Sequence, residues 1–359
     1  DKETLDVLRN VMRNFFSPLK MCEPMLRFVF LTGITKFSQV SIFSELNNIK
    51  NISLDDEYAG LCGITKEELL TQMSEDIDML AEAQGMTREE TIAKLKENYD
   101  GYHFSPASPD VFNPYSLLNC FDDKNFGAYW FSSGTPTYLI NMLRKFKVLP
   151  AKIGRSLARS SAFDAPTENL KTITPLLYQS GYITIKGYDK MSQLFTLDLP
   201  NKEIKVGLFE SLLPYYLEGM YAEEGDVAIA QMSVLIRQGD MDGALRLLQE
   251  FLGTVPYCNN TNYEGHYQQV LFIIFTLLTH FVVDVEVHTP HGRVDVVMET
   301  EDTLYLIELK LNKSAQAAMQ QINLKQYDQR FARCGKPIVK VGVNFDAKKG
   351  NIEDWTIEP

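Results

Sequence analysis

Closely spaced cysteines are missing from this chain. Its five cysteines lie far apart along 359 residues, and no two of them form a C-x-x-C pair. Zinc ribbons need such pairs, and the disulfide framework of a small secreted domain needs an even number of cysteines at short spacing. The cysteine pattern therefore excludes both classes and favours a protein of the reducing cytoplasm.

The chain also lacks an apolar run long enough to cross a membrane. The longest run, residues 270–283, is interrupted by Thr276, Thr279 and His280. It is shorter than the roughly 20 residues that a membrane helix needs, so it predicts a buried helix that leads into a strand. No signal peptide is evident, and because the first residue is aspartate we expect the natural start to lie upstream.

Positive charge is scarce as well. The net charge is −12 and the pI about 5.0, which excludes a protein that binds nucleic acid through a broadly basic surface. Residues 309–345 are an exception, with seven basic residues against the single acidic residue Asp328. This basic stretch could hold a phosphate backbone, although a solvated helix face would explain most of its charges too.

The first half of the chain is predicted to be mostly helical. Thr65 with Glu68, and Thr87 with Glu90, fit the capping box, in which side chains satisfy the free N–H groups of a helix start. Ahead of these helices, the short apolar run at residues 28–31 predicts a buried strand that leads into a loop.

The middle of the chain predicts a different order of elements. Residues 166–222 read as helix, turn, strand, strand and helix. This order is compatible with a winged-helix-like module, and a packing or linker domain without a ligand explains the same pattern. Residues 223–253 are predicted to be helical.

The sequence pattern of residues 263–343 predicts a helix, a three-stranded meander, a second helix and a strand. Turn residues such as Gly292 separate the strands, and Ser314 fits the N-cap of the second helix. The predicted bounds are 263–279 for the first helix, 282–288, 293–298 and 304–311 for the meander, about 314–333 for the second helix and 338–343 for the last strand.

Three charged residues interrupt the predicted strands: Asp295, Glu308 and Lys310. Because side chains alternate along a strand, Glu308 and Lys310 share one face, and a tight hairpin can bring Asp295 to the same side. Two carboxylates held together repel unless a cation joins them, and Mg²⁺ or Mn²⁺ takes oxygen ligands. We therefore predict a metal site of Asp295 and Glu308, with the backbone carbonyl of Leu309 as a third ligand.

Lys310 would lie beside such a metal, where it could deprotonate or hold an attacking water and offset charge on a phosphoryl group. Glu264, at the start of the upstream helix, could face the site as a further metal contact or as a partner for Lys310. A simpler alternative stays open: the charged residues could form an ion pair at the edge of a sheet, where charge discourages aggregation.

The order of an acid on a helix, an aspartate on a hairpin strand, E-x-K on the next strand and a following helix resembles the PD-(D/E)XK nuclease superfamily. The matching residues are Glu264, Asp295, Glu308 and Lys310. Val294 stands before the aspartate, where the name of the motif has proline. The resemblance implies a catalytic role for the four matching residues.

The resemblance further implies that polar residues on the helix after E-x-K support the site or contact substrate, which points to Gln321 and Lys325. Lys313, from the basic stretch, is the third predicted substrate-binding residue. E-x-K alone has low specificity, because Glu203 and Lys205 form a second copy. A proline and a helical pattern argue against a hairpin site there.

The sequence segments "YDGYHF", "FNPYSLL" and "WFSSGTPTYL" resemble those of a bacterial AAA-ATPase-like family. Members of this family often carry a C-terminal PD-(D/E)XK domain. ATP binding in that family needs a G-x-x-x-x-G-K-[ST] loop to cradle the phosphates. The sequence contains none, since Gly335 and Lys336 are followed by proline. We therefore expect a fragment or derivative without the nucleotide-binding half, in which Thr32 lies near a nucleotide-sensing position.

These observations predict an α/β multidomain protein with three regions. Residues 1–150 form a partial, mostly helical ATPase-like part without a P-loop. Residues 151–253 form a winged-helix-like middle region. Residues 254–359 form a restriction-endonuclease-like PD-(D/E)XK α/β domain.

The predicted function is divalent-metal-dependent hydrolysis of phosphodiester bonds in DNA or RNA, normally coupled to an ATPase-like domain. Mg²⁺ or Mn²⁺ is the expected cofactor, ATP is not expected to bind, and nucleic acid is the expected partner. We expect a cytoplasmic protein without a membrane partner that could form oligomers. Two alternatives remain open: a catalytically inactive recognition or assembly module of an ATP-dependent regulator, and a lid and sensor region of an ATP-hydrolysing regulator.

Overall fold

The computed structural model describes residues 2–33, 49–132, 137–154, 156–163, 170–217, 222–254, 266–278, 284–288, 294–324, 335–346 and 348–359. The chain divides into two compact units: the first is Asp1–Val148 with Lys152–Lys205, and the second is Leu149–Ala151 with Val206–Pro359. Residues 206–253 thus group with the C-terminal sheet, and the three-region division stays a prediction. No helix in the described ranges is long and apolar enough to cross a membrane.

The first unit is mostly helical, with short strands between the helices. Its elements are α1 Lys2–Phe16, α2 Pro18–Met21, β1 Ile64–Thr65, α3 Lys66–Gln72, α4 Ser74–Gln84, α5 Arg88–Tyr99, β2 Val111–Phe112, α6 Pro114–Asp123, α7 Tyr129–Ser132, α8 Thr137–Lys145, β3 Ser156–Ala158, α9 Thr174–Gln179, β4 Thr184–Asp189, β5 Leu194–Asp198 and the start of α10 Lys202–Tyr216.

The second unit continues α10 and combines helices with one sheet. Its further elements are α11 Ala222–Arg237, α12 Met241–Thr254, α13 His266–Leu277, β6 Asp284–His288, β7 Val294–Glu299, β8 Leu304–Leu311, α14 Ala315–Leu324, β9 Ile338–Asp346 and β10 Asn351–Glu358. The predicted helical region 223–253 is confirmed as α11 and α12, which Gly239, in the left-handed region at φ +79°, separates.

Two helix starts in the first unit confirm the predicted capping boxes. The hydroxyl of Thr65 accepts a hydrogen bond from Glu68 N at 3.2 Å, and the Glu68 carboxylate accepts one from Thr65 N at 2.8 Å. Thr87 and Glu90 repeat the arrangement at the start of α5. Because each pair satisfies donors that a helix start leaves free, these local sequences define where α3 and α5 begin.

Residues 28–31 differ from the sequence prediction of a buried strand. They form no strand, and Phe28 and Phe30 are 81% and 47% exposed. An apolar run becomes a buried strand only where other strands pair with it and a further layer covers it. In the described part of the chain no strand pairs with these residues.

The middle elements follow the predicted order of α9, the β4–β5 hairpin and α10. β4 and β5 are antiparallel, with a bulge between Ile185 and Gly187. β3, which has no counterpart in the prediction, pairs with β5 and gives a three-stranded sheet in the order β3-β5-β4. The winged-helix-like assignment of these elements stays a prediction.

Glu203 shows why the second E-x-K copy differs from the first. It lies in the first turn of α10, is 3% exposed, and accepts a hydrogen bond from Trp130 N at 2.9 Å. Burial raises the pKa of its carboxyl, because the charged form loses hydration there. Residues 203–205 are therefore helical, as predicted. The carboxylate of Glu203 links α10 to α7.

The second unit contains a five-stranded sheet in the order β10-β9-β8-β7-β6. β8 and β9 are parallel, and the other neighbouring strands are antiparallel. The predicted meander is confirmed in β6 to β8, and β8 has the predicted bounds. β10 has no counterpart in the prediction, because a bulge between Ile352 and Asp354 interrupts the two-residue alternation by which a strand is recognised.

Helices cover both faces of this sheet. α14 packs on one face, where Met319 and Ile322 form an apolar cluster with Leu304 and Leu306 of β8. On the other face, the hydroxyl of Tyr305 donates to a backbone carbonyl of α11 at 3.5 Å, and Trp355 Nε1 donates to Asp242 of α12 at 2.8 Å. β8 is therefore buried on both sides, which is where an unpaired charge is least stable.

Gly342 on β9 lets α14 approach the sheet closely. A Cβ atom at this position would lie 2.5 Å from the carbonyl oxygen of Ala315 and 3.0 Å from the backbone nitrogen of Met319. Both neighbours belong to helix backbone, which cannot turn aside as a flexible side chain can. Glycine is thus required for the observed separation of α14 and β9.

We predict that Gly342→Ala lowers the free energy of unfolding of the second unit by about 1–3 kcal/mol, the usual cost of overpacking. Urea denaturation followed by circular dichroism measures the change. Gly187→Ala is the matched control, because a Cβ at Gly187 in β4 would approach Thr196 at no less than 3.8 Å. A Gly342→Ala variant with wild-type stability would contradict the requirement for glycine.

The raised pKa of Glu203 predicts a pH dependence of stability in the first unit. A carboxyl with a higher pKa in the folded state holds its proton more tightly when folded, so its contribution falls as pH rises from the ordinary glutamate range through the raised value. Thermal denaturation between pH 4.5 and 7.5 should show a smaller loss of stability for Glu203→Gln than for the wild type.

Glu97→Gln provides the control for that experiment. Glu97 pairs with Lys202 at 2.9 Å on the surface, where its side chain is 50% exposed. This variant removes an exposed carboxyl instead of a buried one, so an equal change of pH dependence in both variants would show that burial is not the cause. Parallel stability curves for the wild type and Glu203→Gln would show that burial of Glu203 has no effect on proton binding.

Candidate metal centre

The candidate site is built on the buried face of β8 that α14 covers. Glu308 and Lys310 are 1% and 4% exposed. Across β7, Asp295 is in register with Glu308. Across β9, Gly342 is in register with Glu308, and Asn344 with Lys310. The strand pairing therefore sets Asp295 beside Glu308, as the alternation in the sequence predicts, and adds the polar position of Asn344 on a third strand.

Lys310 is held by two partners. Its Nζ donates to Glu308 Oε1 at 2.5 Å and also donates to the side-chain oxygen of Gln321 on α14. A buried carboxylate and a buried ammonium are tolerable only when paired in this manner. Gln321, predicted to support the site or contact substrate, is thus placed beside Lys310.

The alternative explanation of the charged residues is an ion pair at a sheet edge. The structure contains the ion pair but places it away from the edge. Glu308 and Lys310 do form an ion pair. They lie in β8, which is the central strand of the sheet and has neighbours on both sides. Protection of an exposed edge therefore cannot explain these charges.

The structure places some of the remaining predicted site residues and not others. Leu309, on the same central strand, is buried, and Lys313 is exposed just after β8. For Asp295 only the backbone position in β7 is described. Glu264 and Lys325 lie outside the described residues. The structure thus brings together Asp295, Glu308 and Lys310 by register, and adds Gln321 by direct contact.

Three further positions belong to this region and were missed by sequence reasoning. His288 of β6 is in register with Asp295, so the row of Glu308 and Asp295 continues to the edge strand. Asn344 is a polar residue inside the apolar run of β9, the same signal that identifies Glu308. Gly342 is a glycine inside a strand, which indicates close approach of another backbone. The predicted strand stopped at residue 343, so Asn344 fell outside it.

The donor set fits a hard divalent cation. Asp295 and Glu308 supply carboxylate oxygens, the ligands that Mg²⁺ and Mn²⁺ prefer, and no thiol or thioether is present in the row. Among the side chains that the structure describes, no group of three or more His, Cys, Asp or Glu residues could hold a metal ion. The side chain of Asp295 is not among those described, so the fit rests on chemistry and register.

Comparisons with known proteins agree with this arrangement. The PD-(D/E)XK nuclease superfamily matches residues 262–355, and the family described as Predicted AAA-ATPase matches residues 1–43. A protein of Azotobacter chroococcum mcd 1, named "Uncharacterized protein in vnfD 5'region", is 31% identical over 362 residues, which covers 98% of this chain and 67% of that protein. No solved structure matches the chain.

The fold and the match together define the C-terminal part as a PD-(D/E)XK nuclease superfamily domain. The chain belongs to the family of AAA-ATPase-like proteins that carry such a domain. The sequence resemblances to the PD-(D/E)XK superfamily and to the AAA-ATPase-like family are therefore confirmed. They rest on residues such as Glu308 and Lys310 and on sequence segments of the first half.

We predict that Lys310→Met destabilises the second unit by about 3–5 kcal/mol, because Glu308 would remain buried without its counter-charge. Glu308→Gln combined with Lys310→Met should recover a large part of that loss. Urea denaturation of the two single variants and the double variant gives the coupling energy, expected at about 1–3 kcal/mol. Additive effects of the two changes would contradict a tight ion pair.

Proposed function

We propose that the C-terminal domain is a divalent-metal-dependent nuclease that hydrolyses phosphodiester bonds of nucleic acid. The observation that carries this proposal is the buried pair of Glu308 and Lys310 on the central strand, with Asp295 in register beside Glu308. A buried ion pair is a weak source of stability. Its position in a nuclease-superfamily domain therefore favours a chemical role.

Asp295 and Glu308 would hold Mg²⁺ or Mn²⁺, with the carbonyl oxygen of Leu309 as a third protein ligand. Opposite positions in an antiparallel pair have Cβ atoms about 4.5–5.5 Å apart, a spacing that suits two carboxylates around one cation. When bound, the metal would help to ionise a water molecule and would neutralise charge on the scissile phosphate.

Lys310 would orient the attacking water and stabilise negative charge on the phosphate. Its ammonium group has three protons, and Glu308 and Gln321 accept two of them. These two contacts fix the direction of the side chain, so that its charge is already in place before substrate binds. Gln321 would then act by holding Lys310.

Substrate binding would use the basic stretch that follows β8. Lys313 is exposed and would meet a backbone phosphate as a point charge. Lys336 contributes less, because it already pairs with Glu299 at 2.8 Å. Lys325 as a substrate contact and Glu264 as a further metal contact complete the proposal; both lie outside the described residues.

Coupling to an ATPase-like domain is the second element of the proposal, and the match over residues 1–43 supports it. The sequence has no G-x-x-x-x-G-K-[ST] loop, so we expect no tight ATP binding by this chain. Three further expectations belong to the same proposal: a cytoplasmic location, nucleic acid as the partner and a winged-helix-like middle region.

One observation favours a second candidate, a catalytically inactive recognition or assembly module of an ATP-dependent regulator. Lys310 Nζ lies 2.5 Å from Glu308 Oε1, so the ammonium already supplies the positive charge that the carboxylate needs. A pair that is neutral by itself can persist without a metal. Binding of nucleic acid without Mg²⁺ or Mn²⁺ binding in calorimetry would favour this candidate.

We predict that the protein cleaves at least one of single- and double-stranded DNA and RNA when Mg²⁺ or Mn²⁺ is added. Asp295→Asn and Glu308→Gln should each lower the cleavage rate by about 10²-fold or more, because each removes a charged ligand oxygen. Gel-based cleavage assays measure the rates, and circular dichroism confirms that each variant is folded.

Glu203→Gln is the matched control, because it changes the acid of the other E-x-K copy, which lies in the helix α10. It should leave the cleavage rate unchanged. Equal cleavage by the wild type, Asp295→Asn and Glu308→Gln would show that the activity comes from elsewhere and would remove the basis of the proposal.

A further inference from the structure

Asn344 is a buried polar residue that the proposed chemistry does not use. It lies on β9 in register with Lys310 and is 1% exposed. Its neighbours along the strand, Val343 and Phe345, are buried and apolar. A buried amide is stable only if its donors and acceptor are satisfied. Its partners therefore show which parts of the structure it joins.

The side chain of Asn344 makes three hydrogen bonds. Its Oδ1 accepts from Lys313 N at 2.9 Å, in the loop between β8 and α14. Its Nδ2 donates to Asp354 Oδ1 at 2.8 Å and to Glu353 Oε2 at 3.0 Å, both on β10. Asn344 therefore links the loop after the candidate site to the edge strand of the sheet.

Asp354 extends this series of hydrogen bonds to α14. Its Oδ2 accepts from Ala315 N at 3.2 Å, the first residue of the helix. Ser314 Oγ accepts from Ala317 N at 3.1 Å and acts as the N-cap, as the sequence predicts. Asp354 thus binds the helix start by a charge-assisted hydrogen bond, which the N-terminal end of the helix dipole strengthens.

The helix held in this way is the one that carries Gln321, whose side-chain oxygen accepts from Lys310 Nζ. Gly342, two residues before Asn344, permits the close approach of the same helix. A continuous path of hydrogen bonds and backbone contact therefore leads from β10 through Asn344 and α14 to Lys310.

We propose that Asn344 and Asp354 are positioning residues for Lys310. Through the start of α14 they set the place of Gln321, and Gln321 sets the direction of the Lys310 ammonium. The consequence for catalysis rests on the proposed function. The consequence for the direction and protection of Lys310 concerns the metal-free protein and holds whether or not the domain cleaves nucleic acid.

Chemical labelling of lysine tests the geometric part. An amine-acylating reagent with mass-spectrometric readout should modify the buried Lys310 far more slowly than the exposed Lys348 in metal-free wild-type protein. Asn344→Ala should raise the Lys310 rate, relative to Lys348, by about fivefold or more, since loss of the link frees α14 locally. An unchanged Lys310 rate in a folded Asn344→Ala variant would overturn the proposal.

Asn323→Ala is the matched control for that experiment. Asn323 lies on α14 and accepts a hydrogen bond from Lys340 at 3.0 Å on the surface. The change removes the same kind of side chain, an amide, but takes it from α14 itself and leaves the path to Lys310 intact. An equal rise of Lys310 labelling in this variant would overturn the proposal, because any disturbance of α14 would then suffice.

Exchange of the side chains of Asn344 and Asp354 distinguishes loss of the link from a general loss of folding. Asn344→Asp alone places a carboxylate beside Asp354 and Glu353, and like charges should break the link. With Asp354→Asn added, the new carboxylate can accept from Lys313 N and from the new amide, whose oxygen can accept from Ala315 N. Glu353 remains, but its side chain is 47% exposed and keeps Lys349 as its counter-charge at 3.4 Å. Slow labelling of Lys310 should return in the double variant. Fast labelling in a double variant as stable as the wild type would contradict the proposed path.

The catalytic part has a separate readout. In the Gln321→Ala background, Asn344→Ala should have little further effect on kcat, because the end of the path is already missing. A merely structural role of Asn344 predicts multiplied losses of kcat in the double variant, and that result would overturn the proposal. Absence of cleavage by the wild type would overturn the nuclease function instead, while the labelling result still decides the positioning role.

Discussion

The ion pair of Glu308 and Lys310 constrains everything around it, because both charges lie in a strand that is buried on both faces. An uncompensated charge there would be unstable by several kcal/mol. The neighbouring elements supply the compensation: α14 brings the amide of Gln321 to Lys310, and β9 offers Gly342 so that the helix can come near enough. The contact of Gln321 and the glycine at position 342 thus both fit the needs of one buried polar contact at the centre of the sheet.

The parts of this arrangement that local sequence determines could be predicted, and the parts that depend on distant partners could not. Capping boxes at Thr65 and Thr87 act within one helical turn, and the bounds of β8 follow from an apolar run that only Glu308 and Lys310 interrupt. The shared face of Glu308 and Lys310 follows from alternation alone. By contrast, β10 is recognisable only from its pairing with β9, and the exposure of Phe28 depends on which elements surround it.

The two E-x-K copies show how the same letters acquire different physical roles. Glu203 is buried at a helix start, accepts from a backbone nitrogen and has a raised pKa, so its environment favours the neutral form. Glu308 is buried in a strand, where it forms an ion pair with the ammonium of Lys310. Secondary structure and the nearest counter-charge therefore distinguish the two sites, and the motif itself does not.

The position of Asp354 on β10 has a consequence for the order of assembly during translation. Chains emerge from the ribosome with the N-terminal side first, so β6 to β9 and α14 are made before residues 351–358. Until β10 pairs with β9, Asn344 has neither of its acceptors and the backbone of Ala315 has no carboxylate. The candidate site can thus reach its ordered form only after β10 has been made, and a chain interrupted before β10 would carry the E-x-K residues in an unfinished setting.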